Sequence, residues 1–210
     1  EQAHNLAPYV DVNSDGDYTP LQGDYPCIRG DQAVYFIYND ALVGTPHGET
    51  GGLPLGVEIH GMAYGFNTSA DTALYNTVFF NYKIINRSTN TYNNVYVGNW
   101  TDGDLGCYTD DFVGSDVERS AYYYYNGDGN DDIACTSQGY GLNPPAQGVV
   151  LLKGPLADVG DGIDNNHNCT VDEAGETCAM SHFQYYNNSA NVTGEPQVDT
   201  SFYNYMRTVW

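Results

Sequence analysis

Positive charge is what this chain has least of. Six Lys and Arg stand against 27 Asp and Glu, for a formal net charge of −21. Nucleic acid and anionic membrane surfaces both need a basic face, so both are set aside as partners. No apolar run approaches the roughly 18 residues of a membrane span, which argues against direct membrane insertion. Helical periodicity is not sustained anywhere, and no repeat of fixed period recurs. H-E-x-x-H, G-x-S-x-G and a phosphate loop are all missing, so the expectation is a protein that is not an enzyme. The five cysteines, Cys27, Cys107, Cys135, Cys169 and Cys178, form no C-x-x-C pair, which makes a zinc or dithiol redox site a poor reading.

What is abundant is tyrosine: 20 residues, beside 7 Phe and 2 Trp, in a chain of 210 that is 41% hydrophobic. Such a chain can bury a core, and its aromatics favour strands. With 24 Gly and 9 Pro, many turns follow. The expectation is all-β: one antiparallel sandwich over 1–210, jelly-roll or immunoglobulin-like, with long acidic calcium-binding loops near 41–54, 101–118, 126–147 and 156–180. Strands are expected at Ala33–Tyr38, Leu55–Phe66, Leu74–Asn86, Tyr92–Trp100, Tyr122–Tyr125, Val149–Leu152, Phe183–Tyr186 and Phe202–Trp210. In the third of these, Val78, Phe80, Tyr82 and Ile84 share one face at period two. Arg87 to Thr91 should turn that strand into a hairpin with Tyr92–Trp100. Consecutive tyrosines alternate faces, so some must point outward and offer a contact surface.

The most informative stretch is Asp11-Val12-Asn13-Ser14-Asp15-Gly16-Asp17. Oxygen side chains at alternate positions, followed by glycine, are how a short loop wraps a hard cation. Gln22 stands where a helical EF-hand needs Glu, and Pro20 discourages an exiting helix. The reading is a Ca2+ loop between extended segments, with ligands Asp11, Asn13 and Asp15, closed by Asp17 or Asp24. A solvated Asx-rich turn is the bland alternative. A second such loop runs from Asp161 to Glu173. There Asp164, Asn166 and Asn168 repeat the spacing, with Asp161, Asp172 and Glu173 available to complete it. Cys169 stands where the first loop has Gly16, and a Cys169–Cys178 disulfide is expected to fix the backbone instead. Asp128, Asn130 and Asp132 form a weaker loop, equally readable as a glycine turn. Asp102 and Asp104, in the crowd from Asp102 to Asp116, are further possible ligands.

Other constellations carry less. Glu58 and His60 share a strand face, and His47 and Glu49 lie nearby in sequence, but a satisfied core histidine is the better reading of His60. Paired carboxylates for glycoside cleavage are offered by every acidic loop, which empties that signal of meaning. Cys107 is matched with Cys135 as a guess, leaving Cys27 free or bonded to another chain. Sequons at Asn67, Asn86, Asn187 and Asn191 matter only in a eukaryotic secretory host. Acidity, calcium loops and an oxidising cysteine count point to an extracellular setting. Beginning on Glu1 without Met, the chain is expected to be processed or partial, with a signal peptide outside it.

Several segments together resemble a known family: Asp11–Asp17, GDYPCIRGDQAVYFIYND (Gly23–Asp40), GGLPLGVEIHGMAYGF (Gly51–Phe66), NTVFFNYKIINRSTNTYNNVYVGNWTDGDLG (Asn76–Gly106) and GYGLNPPAQGVVLLKGP (Gly139–Pro155). They are similar to a region of large secreted Bacteroidota proteins exported by the type IX secretion system. Asp161–Glu173 resembles a DGIDND-type metal-binding segment of such proteins, departing from it at Asn168-Cys169. Asp71-Thr72-Ala73 resembles the O-glycosylation site of that phylum, which makes Thr72 the acceptor. The resemblance implies a location on the bacterial cell surface rather than a reaction. The expected role is structural or adhesive, with self-association into a fibre or layer, or contact with other surface proteins. A carbohydrate-binding module with glycan partners is the alternative, and a secreted hydrolase comes third.

Overall fold

A computed structural model describes residues 7–40, 46–131, 139–187, 189 and 194–208. Its contacts divide the chain into two compact units, Glu1–Asn93 and Asn94–Trp210. All sheet pairing within them is antiparallel.

In the first unit, β1 (Tyr9–Val10) pairs with β2 (Tyr25–Pro26) across the Asp11 loop. A three-stranded sheet follows, in the order β3 (Gln32–Asn39), β4 (Val57–Gly65), β5 (Phe79–Asn86). The register sets Val34, Phe36 and Tyr38 level with Ala63, Gly61 and Ile59, and these with Phe80, Tyr82 and Ile84. Directly opposite residues share a face, so the middle of this side of the sheet is apolar. Gly61 lets its neighbours meet across the central strand: a Cβ there would lie 2.0 Å from Phe36 Cε2. The Phe36 and Tyr82 rings accordingly pack edge-on at 6.1 Å, and Phe80 stacks on Tyr82. The expected alternation is present, but the face remains open, with Val34, Tyr38, Phe80, Tyr82 and Ile84 about half exposed.

The start of the expected strand Leu74–Asn86 is a helical turn instead, α1 (Thr72–Tyr75). Asp71 caps it by accepting the N–H groups of Ala73 and Leu74, which competes with extension. The hairpin to Tyr92–Trp100 does not form. Asn86 turns its side chain onto the connection, accepting from Ser88 N–H and donating to Asn90 O, and β5 pairs with β4 alone.

In the second unit the sheet order is β10 (Ala146–Val150), β7 (Ala121–Asn126), β6 (Asp111–Asp116). A small pair, β8 (Asn130–Asp131) with β9 (Gly141–Leu142), stands beside it. Tyrosines of β7 alternate as expected: Tyr124 is buried, Tyr123 and Tyr125 are outward. Val150, Leu151 and Leu152 are exposed, and the strand expected over Val149–Leu152 ends at Val150. Phe183–Tyr186 is not a strand, although Phe183 packs on Tyr122 and Tyr186 accepts from Trp100 Nε1. The C-terminal aromatics form a helix, α2 (Asp199–Arg207), rather than a strand. The Ser201 hydroxyl accepts from Gln197 and Val198 N–H, and Asp199 and Arg207 sit at the ends that suit their charge. The aromatics then fall on separate faces, Tyr205 against Tyr186 and Tyr203 under the Arg207 guanidinium.

Among the described residues the apolar core is thin: Met62, Leu105, Cys107 and Tyr124. Buried alongside are three carboxylates, Asp24, Asp131 and Glu176. Carboxylates are almost never fully buried without a partner. The described ion pairs join Glu58 to His60 and Arg87, and Asp116 to Arg119, none of them to these three.

Candidate metal centres

Asp24 organises the first loop. Its Oδ1 accepts from Val12 N–H at 2.9 Å and its Oδ2 from Thr19 N–H at 2.8 Å. Those bonds, Thr19 first and Val12 second, hold its carboxyl below the usual carboxylate range. Asp11 accepts from Asp15 N–H at 3.3 Å and from Gly16 N–H at 2.8 Å. Asn13 Oδ1 accepts from Asp15 N–H at 3.2 Å, and Asp15 Oδ1 from Asp17 N–H at 2.9 Å. The chain therefore coils round its own carboxylates, and ligand oxygens of Asp11, Asp15 and Asp24 come within 4.8 Å of one another. Asp24, not Asp17, closes the group; Asp17 remains exposed outside it. Asn13 reaches Asp15 and Gln22 through its amide.

The second loop repeats most of this wiring. Asp164 accepts from Asn168 N–H at 3.0 Å and Cys169 N–H at 2.7 Å, as Asp11 does from Asp15 and Gly16. Asn166 Oδ1 accepts from Asn168 N–H, and Asn168 Oδ1 from Thr170 N–H, matching Asn13 and Asp15. The left-handed residues match too: His167 at φ 59° stands for Ser14 at φ 60°, and Cys169 at φ 70° for Gly16 at φ 86°. The bond from Val12 N–H to Asp24 has its counterpart from Asn165 N–H to Glu176 Oε1, at 2.6 Å.

Glu176 thus plays the part of Asp24, a role that sequence reasoning missed. The signal was available, since Glu176 lies almost as far beyond Asp164 as Asp24 lies beyond Asp11. Its Oε2 is buried without a hydrogen-bond partner, as is Glu173 Oε2. Glu173 is drawn into the loop by the side-chain amides of Asn166 and Asn168, and the Asn166 amide chiefly lowers its pKa. Asp161 and Asp172 serve the approach segment instead, accepting from Ile163 and Gly162 N–H. His167 is exposed.

The expected Cys169–Cys178 disulfide is not formed: both thiols are free. Cys169 sits exposed at the left-handed turn, while the Cys178 backbone is tied by its N–H to Pro155 O. The loop's hydrogen bonds, rather than a covalent staple, hold its shape. Cys27 is also free, Cys107 is disulfide-bonded, and Cys135, its expected partner, lies outside the described residues, as does Asp132.

The other expected ligands are dispersed. Asp128 Oδ1 accepts from Asn130 N–H, closing a tight turn between β7 and β8, the glycine-turn alternative. Asp102 and Asp104 are exposed. Thr72 is exposed at the first position of α1. His60 donates or accepts at both ring nitrogens, with Tyr35 Oη at 2.6 Å and Glu58 at 2.7 Å, so it is a satisfied histidine.

Both loops present oxygen only, from carboxylates and amides. Such donors suit a hard cation that tolerates six to eight ligands and an irregular shell, which describes Ca2+ better than a transition metal. Comparison of the chain with protein-family models, with curated proteins and with solved structures finds no match.

Proposed function

We propose that this chain is a calcium-ordered structural or adhesive protein of the bacterial cell surface, its antiparallel sheets layered as a sandwich, and that it self-associates or docks on other surface proteins. The observation that carries the reading is the pair of loops wired alike around Asp11–Asp24 and Asp164–Glu176. Each is closed by a buried carboxylate, Asp24 or Glu176, that no described cation neutralises. In a chain of charge −21, Ca2+ at these loops relieves self-repulsion as well as ordering the turns. Self-association draws on the open face of the β3–β4–β5 sheet, whose exposed Val34, Tyr38, Phe80, Tyr82 and Ile84 form one apolar surface. The extracellular location rests on the family resemblance and the acidity.

One experiment addresses both parts: sedimentation and electron microscopy of the chain in millimolar calcium, then after chelation. The expected result is ordered assemblies or discrete oligomers in calcium that loosen when it is removed. A strictly monomeric chain whose melting temperature ignores chelation refutes the reading. A carbohydrate-binding module is the second reading. It is favoured by the exposed, nearly parallel rings of Phe80 and Tyr82, 6.1 Å apart, since aromatic faces are surfaces on which sugars stack. Polysaccharide pull-downs with Tyr82→Ala as control decide it.

A further inference from the structure

The third buried carboxylate, Asp131, belongs to neither loop. It is fully enclosed, and it accepts from Cys107 N–H at 2.9 Å and Tyr140 N–H at 2.6 Å. The backbone is shaped to it, since a Cβ on Gly106 would stand 2.1 Å from Asp131 Oδ2. Asp110 offers a carboxylate oxygen within 4.8 Å of Asp131 and of the Cys107 sulfur. That sulfur is in a disulfide and has no thiolate to offer a metal. Asp111, next in sequence, binds Leu105 N–H through Oδ2. Burial and then the charges of Asp110, Asp131 and Asp104 push its carboxyl above the usual range.

Three acids crowded together are not in themselves a site. The further observation is Asn126. It is buried to 6% exposure, and its Oδ1 has no hydrogen-bond partner, while its Nδ2 donates to Asp128 O. In the β6–β7 register Asn126 stands directly opposite Asp111, on the same face, with Cβ atoms about 5 Å apart. Asp111 Oδ1 and Asp110 Oδ1 are likewise buried and unpartnered. Four residues thus converge three unsatisfied oxygens and one enclosed carboxylate where no described Lys, Arg or His pairs with them. Unsatisfied buried acceptors of this number need a donor or a cation.

We propose that Asp110, Asp111, Asn126 and Asp131 form a buried Ca2+ site at the open end of the β6–β7 hairpin, separate from the two loops. The ligands are all oxygen: three carboxylates and an amide carbonyl, a hard donor set. One dication would satisfy the orphaned acceptors and offset most of the local negative charge. It would also join the β6–β7 hairpin to β8.

The test counts ions. Native mass spectrometry in calcium is applied to the full chain, to a loop variant carrying Asp11→Asn, Asp15→Asn, Asp164→Asn and Glu176→Gln, and to Asp111→Asn. The loop variant is expected to retain one bound Ca2+, and Asp111→Asn to bind one ion fewer than the parent chain. Because Asp111→Asn could disturb the hairpin itself, the unaltered protein is also titrated with calcium while the amide resonances of Cys107, Tyr140 and Asn126 are followed. They should shift together, saturating independently of those of Val12 and Asn165. Failure of the loop sites would leave Val12 and Asn165 unmoved and this prediction standing. A loop variant that binds no ion, or Cys107, Tyr140 and Asn126 resonances unmoved throughout the titration, overturns the proposal; shared protons would then account for the cluster.

Discussion

Replacing Gly16 by alanine tests the equivalence of the two loops at one atom. Gly16 has φ 86°, and an added Cβ would meet nothing within 4 Å, so the whole cost is conformational. An L-residue in the left-handed region costs about 1–2 kcal/mol. The lost freedom of the unfolded glycine returns about 0.4–1 kcal/mol. Gly16→Ala should therefore destabilise the loop by about 1 kcal/mol. In a cooperative unit of this size that is a melting temperature about 4–8 °C lower in saturating calcium. If the loop opens locally, the same energy appears as about fivefold weaker calcium binding. At the matching position the second loop already carries Cys169 at φ 70°, so Cys169→Gly should strengthen calcium binding there by a similar factor. Differential scanning calorimetry and calcium titration of the two variants give the comparison. If Gly16→Ala leaves both readings unchanged, or Cys169→Gly weakens binding, the loops do not share a backbone geometry and the argument from their matched hydrogen bonds is wrong.

The assignment of Glu176 over Asp172 predicts that Glu176→Gln weakens calcium binding by about an order of magnitude, while Asp172→Asn changes it little, as read by isothermal titration. Gly61→Ala should cost about 1–3 kcal/mol in urea unfolding, because its Cβ collides with Phe36 and forces that ring off Tyr82. Glu58 predicts an acid limb. Hydrogen bonds from Arg87 and then His60 lower its pKa, so its contribution is full above the unfolded value near 4.5 and disappears as pH falls through the lower folded value. Arg87→Ala should move the acid midpoint of the first unit upward, measured by circular dichroism across a pH series.

The class of this protein was legible because strands announce themselves locally. Ala33–Tyr38 and Leu55–Phe66 are dense in β-branched and aromatic residues, and both became strands, β3 and β4. The turn of the Asp11 loop was legible for the same reason: Asp11, Asn13, Asp15 and Gly16 lie within a few residues of one another. Where a neighbour far along the chain decides the outcome, the local pattern misled. Tyr92–Trp100 alternates well enough for a strand, yet Asn86 binds Ser88 N–H and Asn90 O on the connection, and the segment joins no described strand. Phe202–Met206 has the aromatics of a strand, but Ser201 starts a helix, and the rings find partners in Tyr186 and Arg207. Glu176 went unseen although its spacing from Asp164 nearly matches that of Asp24 from Asp11, because Asp172 and Glu173 stand nearer the loop in sequence; folding brings Glu176 back to Asn165 N–H.

Short-range chemistry, then, was written in the chain itself: alternating apolar residues, oxygen ligands at every second position, and an excess of carboxylates that calls for counter-charge. Which carboxylates are enclosed was decided by the tertiary structure alone. Burial depends on what packs around a group, and Asp24, Asp131 and Glu176 are enclosed where the folded backbone closes on them. Free thiols at Cys169 and Cys178 follow from the same cause, since disulfide formation depends on where two backbones lie and not on how few residues separate them.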